Sequence, residues 1–223
     1  MEWNSTFAAQ SFFKLVASLP ANLLTALLAS LVAMVVGLIF ALMEWSHVPG
    51  VAAVTRIVVG FIRRTPILVQ LYFLFYVLPD IGILLSPLTA GVLGLGLHNS
   101  AYICEVYRAG IANVGKGQWD ATVALNLTRI YVWRRVILPQ AIPPMIPALG
   151  NYVLLIFKET ALLSVITVPN IMLEAQTIAS EHYRYLEPMT LVGLIFLAIC
   201  LPTAFALRMA EIRLNRRESG AAD

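Results

Sequence analysis

From Leu19 to Met43 the chain carries no charged side chain, and Glu44 closes the run. A bilayer hydrocarbon core about 30 Å thick is crossed by about 20 apolar residues in a helix, and inside it every backbone polar group needs an internal partner. The run therefore reads as a membrane-spanning helix. Composition points the same way, with 12% of residues charged, 60% hydrophobic and a mean hydropathy of +0.83. A soluble domain carries about 25% charged residues. The net charge of +3 sits on no dense basic face, which argues against a nucleic-acid partner and fits basic cytoplasmic loops. Cys104 and Cys200 lie far apart in apolar stretches and read as small buried hydrophobes. The segment before Leu19, with Lys14 and no uninterrupted apolar core, lacks the form of a cleaved signal peptide.

Four further runs follow. The second is placed at about 60–80, after Arg56, Arg63 and Arg64, with Thr65-Pro66 read as an N-cap and a first-turn proline. The third runs from Leu88 to about Tyr107 and holds Gly91, Gly94 and Gly96, which let another helix approach closely. The fourth, Leu138 to about Val168, contains Pro139, Pro143, Pro144 and Pro147 and then Lys158-Glu159. The fifth is Met189 to Ala210. The expectation is an all-α integral membrane protein, one domain over 1–223, with five spanning helices.

Charge sets the orientation. With the N-terminus outside, the inner segments collect Arg56, Arg63 and Arg64, then Arg108, Lys116, Arg129, Arg134 and Arg135, then Arg208, Arg213, Arg216 and Arg217. The outer segments keep only Lys14 and Arg184. Positive residues stay on the cytoplasmic side, so the C-terminus is expected inside. The outer loop Asn170 to Pro188, with Glu174, Glu181, Glu187, His182 and Arg184, reads as a short structured surface.

The long inner loop at about 105–137 is the most informative stretch. It is basic, broken by Gly110, Gly115 and Gly117, and then turns helical over Gln118 to Leu127, with Trp119, Val123 and Asn126 near one face. A short helix with small residues and an exposed Trp suits docking into a partner's groove. It equally suits a helix resting among lipid headgroups. Gly110 to Lys116 has the spacing of a phosphate-binding loop, but Gly117 follows where Ser or Thr is needed and no strand precedes it.

This loop resembles the signature loop of bacterial ABC importer permeases, which has Glu-Ala-Ala, a Gly four residues after the last Ala, and a distant Ile-x-Leu-Pro. Here those positions read Asp120-Ala121-Thr122, Asn126 and Val136-Ile137-Leu138-Pro139. Glu105-x-x-Arg108-Ala109-Gly110-Ile111, Lys116-Gly117-Gln118-Trp119, Arg64 to Gln70 and Leu138 to Ala141 are similar to the polar amino-acid uptake branch. Other stretches, such as Leu95 to His98 and Ile142 to Asn151, look closest to permeases for ectoine and hydroxyectoine. Asp at 120 is expected to favour a helix N-terminus through the dipole, and Asn at 126 to accept a left-handed turn.

The resemblance implies an ATPase-coupling role for Gly117, Gln118, Trp119, Asp120, Ala121, Thr122, Leu125 and Asn126. It implies a partner ATPase that binds ATP, no cofactor on this chain, a solute-binding protein outside, and a second permease as a homodimer or sister chain. The location implied is the bacterial inner membrane, crossed several times. Within the membrane, Lys158 and Glu159 either pair or meet the pathway; ionisable groups there are costly unless partnered or facing water. Glu159, Thr160, His98 and Asn99 are the candidate substrate contacts, with a packed hydrogen-bonded cluster as the other reading of His98-Asn99-Ser100. The function expected is translocation of a polar amino acid or similar zwitterion by a permease that is not itself an enzyme. An ion-coupled secondary transporter and a non-transporting membrane scaffold are the alternatives; no internal repeat supports the first.

Overall fold

The computed structural model describes residues 3–46, 48 and 50–219, with side-chain surroundings as far as Ile212. Arg213, Arg216 and Arg217 of the expected C-terminal basic group lie outside the described side chains. The described residues are helical, without a strand.

Helix α1 (Ser5–Ala17) and helix α2 (Leu19–Glu44) form one apolar stretch of 40 residues, so helix begins well before Leu19. Asn4 starts it by accepting the Phe7 N–H (3.1 Å). The turn at Ser18 follows from Pro20, which has no N–H for the Val16 carbonyl.

The stretch expected as one span at 60–80 is two helices. Helix α3 (Val51–Arg64) meets helix α4 (Ile67–Tyr72), prolonged by a π-helical turn (Phe73–Val77) and a 3-10 turn (Leu78–Ile81), at a bend of 102°. Proline forces the residue before it into extended backbone, and Thr65 has φ −99° and ψ 133°. Thr65 is no N-cap: its hydroxyl donates back to the Phe61 carbonyl, and Pro66 takes the cap position. Gln70 Nε2 braces the elbow by donating to the carbonyls of Ile62 (2.9 Å) and Thr65 (3.2 Å).

Helix α5 (Pro87–Ala112) is capped by Ser86, whose hydroxyl accepts the Thr89 N–H (3.2 Å). Helix α6 (Lys116–Ala124) stands beyond its end. Helix α7 (Arg129–Tyr131) opens into a π-helical turn (Val132–Ile137) and runs on as helix α8 (Leu138–Glu159), then a 3-10 segment (Thr160–Ile166). Pro143, Pro144 and Pro147 sit inside α8 without breaking it. Helix α9 (Ile171–His182) gives the expected surface loop its structure, and helix α10 (Leu186–Ser219) follows.

Three helical stretches are long and apolar enough to cross a membrane (Ser5–Glu44, Arg129–Ile166 and Leu186–Ile212), and the bent pair makes a fourth. Helix α5 is not among them, since His98, Asn99 and Ser100 dilute its apolar character. Its 26 residues nevertheless reach about 39 Å at about 1.5 Å per residue, and those polar groups are turned into protein. The result is a multi-pass membrane protein built around α5.

Close approach is what places α5 at the centre. Helix α2 buries Ala26, Ser30, Ala33, Gly37 and Ala41, a stripe of small residues at helical spacing. A Cβ on Gly96 would lie 2.5 Å from Val32 Cγ1, and one on Gly37 would lie 2.9 Å from both Ile103 Cγ2 and the Ser100 carbonyl. Gly94 and Gly91 admit Leu71 of α4 and Leu163 of the 3-10 segment. The outer faces of α2 and α10, with Leu27, Leu31, Leu197 and Phe205, are exposed for hydrocarbon to cover.

At the end holding α1 and α9, Leu15 packs with Ile171, Ala175, Ile178, Val192 and Ile195. Glu187, fully buried, accepts the Asn4 backbone N–H (3.0 Å) and pairs with Arg184. This ties the first helix to the α9–α10 turn.

Gly96→Ala is expected to lower the midpoint of thermal unfolding in detergent, because Val32 is stiff and has nowhere to go. Gly60→Ala, where an added Cβ meets nothing within 4 Å, is expected to leave it unchanged or raise it through a gain of about 0.5–1 kcal/mol in helix propensity.

Candidate functional site

Two groups of residues singled out in the sequence are brought into defined geometry. At one end of the molecule stands the short helix α6. It spans Lys116–Ala124 rather than starting at Gln118. Its end is closed by a Schellman arrangement: the Leu127 N–H bonds the Thr122 carbonyl (3.1 Å) and the Asn126 N–H bonds the Val123 carbonyl (3.0 Å). Asn126 sits at φ 50°, the left-handed turn expected there. Asp120 lies past the first turn, and the dipole effect is confined to that turn. Its expected role at the helix start is therefore corrected.

Trp119 is also not the exposed anchor expected. It is half-buried, edge-on to Trp133 with ring centroids 5.8 Å apart, and Trp133 in turn meets Trp45 at the end of α2 (5.2 Å). Indole area is too large to leave in water when a packing partner is within reach. Val114, Val132, Ile137, Ala141 and Met145 complete the apolar seat. Thr122 is buried, its hydroxyl donating to the Trp119 carbonyl (2.7 Å). What α6 shows outward is Gly117, Gln118, Asp120, Ala121, Val123, Ala124 and Leu125. Val123 is 79% exposed and Leu125 70%. A cleft of about 590 Å³ opens beside them between Trp45, Trp119, Trp133, Asn126 and Arg129.

The second group lies where the middle of α5 meets the C-terminal end of α8. Lys158 is exposed and makes no ion pair with Glu159 among the described residues. Glu159 Oε2 instead accepts from Asn99 Nδ2 (2.7 Å), which also donates to the Leu95 carbonyl (3.0 Å). Asn99 is fully buried, and its Oδ1 has no partner. Gln70 spends both amide hydrogens on the elbow, so its Oε1 faces His98 Nδ1 (3.3 Å) and makes that nitrogen the protonated one. His98, Asn99 and Ser100 are thus a packed, hydrogen-bonded cluster, with Ser100 donating to the Leu97 carbonyl (2.7 Å).

Thr160 belongs to a different network. It is fully buried, accepts from Asn22 Nδ2 (2.8 Å) and donates to the Phe157 carbonyl (2.6 Å). Asn22 Oδ1 accepts the Ile171 N–H (2.7 Å), and Asn170 Nδ2 donates to the Thr160 carbonyl (3.2 Å). Thr160 joins α2 to the start of α9 and does not share the Glu159 surface.

Sequence reasoning did not anticipate the ion-pair chain at the α6 end. Arg108 bonds Glu44 (3.1 Å) and Glu105 (3.0 Å), and Glu105 bonds Arg63 (2.9 Å). Only the Glu105–Arg108 spacing is visible within one helix; the rest crosses between α2, α3 and α5. Arg63 also lies over the Tyr102 ring (5.3 Å), and Tyr102 stacks on Tyr152 of α8 (6.3 Å).

The chain is thus a multi-pass helical protein with an exposed short helix at one end and a partly buried carboxylate held by Asn99. Residues 33–216 match the model of the binding-protein-dependent transport system inner membrane component, and the chain belongs to that family. A probable amino-acid ABC transporter permease protein of Sinorhizobium fredii is 39% identical over 211 residues, covering 95% of this chain and 91% of the relative. The nopaline transport system permease protein of Agrobacterium fabrum is 35% identical, covering 92% and 90%. A crystal structure of an amino acid ABC transporter with histidines superposes with a TM-score of 0.90 at 34% identity, covering 96% of this chain and 100% of the other. An inward-facing MetNI methionine ABC transporter, 16% identical with a TM-score of 0.74, shares the fold.

Asn126→Val should cost about 1–2 kcal/mol, because a β-branched residue resists the left-handed conformation. Asn126→Gly should cost nothing measurable. Limited proteolysis of the loop after α6 reads the difference directly.

Proposed function

We propose that this chain is one of two permease subunits of an ATP-driven importer, with the second subunit a further copy or a sister chain. Five spans are proposed, counting α5, with the N-terminus outside and the C-terminus in the cytoplasm. The distribution of Arg and Lys supports this orientation, and the family description supports the inner membrane. In this orientation α6 faces the cytoplasm. A partner ATPase would bind and hydrolyse ATP; on this chain no cofactor is proposed. A solute-binding protein would deliver substrate from the other side.

The observation that carries this reading is the seating of α6. Its outward face of Gln118, Asp120, Ala121, Val123 and Leu125 is free, while Trp119 is wedged against Trp133 at the root of α8 and, through it, against Trp45 of α2. A partner gripping the outward face would move both spanning helices as one body. Interfaces of this packed kind switch between discrete arrangements. That gives alternating access a mechanical link. A helix merely resting in headgroups would need no such wedge.

For the substrate, the proposal is a polar amino acid or similar zwitterion, with ectoine and hydroxyectoine among the candidates that sequence resemblance offers. The named relatives for amino acids and nopaline support the class. Glu159 has no cationic partner among the described residues, and the unpaired Asn99 Oδ1 lies in the same cluster. A carboxylate held by Asn99 but lacking a cationic partner suits a substrate ammonium group. His98 and Thr160 are left as packing residues in this reading. An ion-coupled carrier would leave α6 without a purpose, and a scaffold would leave Glu159 without one.

Ala121→Arg should leave membrane insertion intact while reducing both co-purification of the ATPase and uptake by at least about tenfold, the effect of about 1.4 kcal/mol or more at a docking contact. Normal uptake in that variant would rule out the lever. Glu159→Gln keeps an acceptor for Asn99 yet removes the charge. Uptake by cells carrying the complete transporter should fall about tenfold or more, as expected for a lost charge-assisted hydrogen bond of about 1.5–3 kcal/mol.

A further inference from the structure

The segment between α6 and α8 carries arginines that the proposed coupling does not use. Arg134 and Arg135 are exposed, and the ion pairs of the described residues engage only Arg63, Arg108 and Arg184. At this end the Glu44–Arg108–Glu105–Arg63 chain is paired, while Lys116, Asp120 and Arg129, like Arg134 and Arg135, make no ion pair among the described residues. The two free guanidinium groups share a cleft of about 550 Å³ with Thr128, Ile130 and Tyr131.

Their direction is fixed by what lies behind them. Val132 and Ile137 are buried, and Trp133 is held between Trp45 and Trp119. With those three side chains turned inward, Arg134 and Arg135 are turned outward on the opposite side of the π-helical turn, as is Tyr131 just before it. That turn lies near the start of a helical stretch long and apolar enough to cross a membrane, Arg129–Ile166. With that stretch as a span, its arginine-bearing end falls towards the headgroup boundary. Ile130 is 73% exposed and Tyr131 51%, an apolar and an amphipathic aromatic side chain of the kind enriched at that boundary.

We propose that Arg134 and Arg135, with Thr128 and Tyr131, bind the phosphate of an anionic phospholipid headgroup. Guanidinium groups match phosphate oxygens in bidentate fashion, the threonine and tyrosine hydroxyls add donors, and Ile130 lies against acyl chain. Placement in the inner leaflet rests on the N-outside reading above; the binding itself does not. Because Trp133 is the next residue to Arg134 and the wedge beneath α6, a lipid held here bears on the element that carries the stroke.

The test uses the purified full-length chain in detergent, titrated with phosphatidylglycerol or phosphatidylcholine and read by native mass spectrometry. Wild type is expected to retain phosphatidylglycerol preferentially. Each arginine near an anionic surface contributes about fivefold in affinity, so R134Q/R135Q should lose about 25-fold with an unchanged melting midpoint, while R134K/R135K keeps most of the binding and R56Q behaves as wild type. Undiminished binding by R134Q/R135Q would overturn the proposal. So would inorganic phosphate competing as well as the lipid, which would make this a free-anion site. A variant that binds lipid normally but no longer co-purifies with the ATPase would reassign the arginines to that subunit and overturn it too.

Discussion

Everything in this molecule is arranged around the near contact of α2 and α5 through residues with almost no side chain. Lipid tails are as apolar as leucine, so burial alone gives two helices no reason to associate in a bilayer; shape and hydrogen bonds must do it. Gly37 and Gly96 let the backbones close on Ile103 and Val32, and the neighbouring alanines and serine continue the seam. Once α5 is shielded in this way it can hold His98, Asn99 and Ser100 buried. Those groups would be expensive on a lipid-facing helix. The polar cluster and the carboxylate it orients therefore depend on a stripe of small residues on the facing helix.

The two candidate sites stand at different depths on one framework. Helix α5 carries Asn99 against Glu159 and, further along, Tyr102 against Tyr152 and Glu105 against Arg63 and Arg108. Helix α8 carries Glu159 at one end, and the π-helical turn with Trp133 leads into its other end. The element against which α6 packs, the π-helical turn with Trp133, runs on into α8, the helix that ends at Glu159.

Legibility in the sequence followed the range of the interaction. The apolar runs, the tolerance of Asn126 for a left-handed turn and the close approach at Gly91, Gly94 and Gly96 are local properties, and they were readable. The elbow at Thr65-Pro66 was misread because a proline serves equally well to open one helix or to separate two, and Gln70's bonds to Ile62 and Thr65 favour the second. Trp119 was misjudged because the distant Trp133 that hides it is brought close only by the fold. For Lys158-Glu159 the sequence leaves both pairing and a pathway-facing carboxylate open; successive helix positions point apart, and Glu159 bonds Asn99. Thr160, next to a pathway candidate, turned out to serve Asn22 and Asn170 instead.

The fastening of α1 has a further effect. Its acceptor is the buried Glu187, but its donor is the peptide nitrogen of residue 4 rather than any side chain. Such a contact is blind to amino-acid type at that position, proline excepted, and sensitive only to how many residues separate it from the first span. Insertions or deletions before Leu19 should thus be felt at the α9–α10 turn, while ordinary substitutions at position 4 should pass that contact unnoticed.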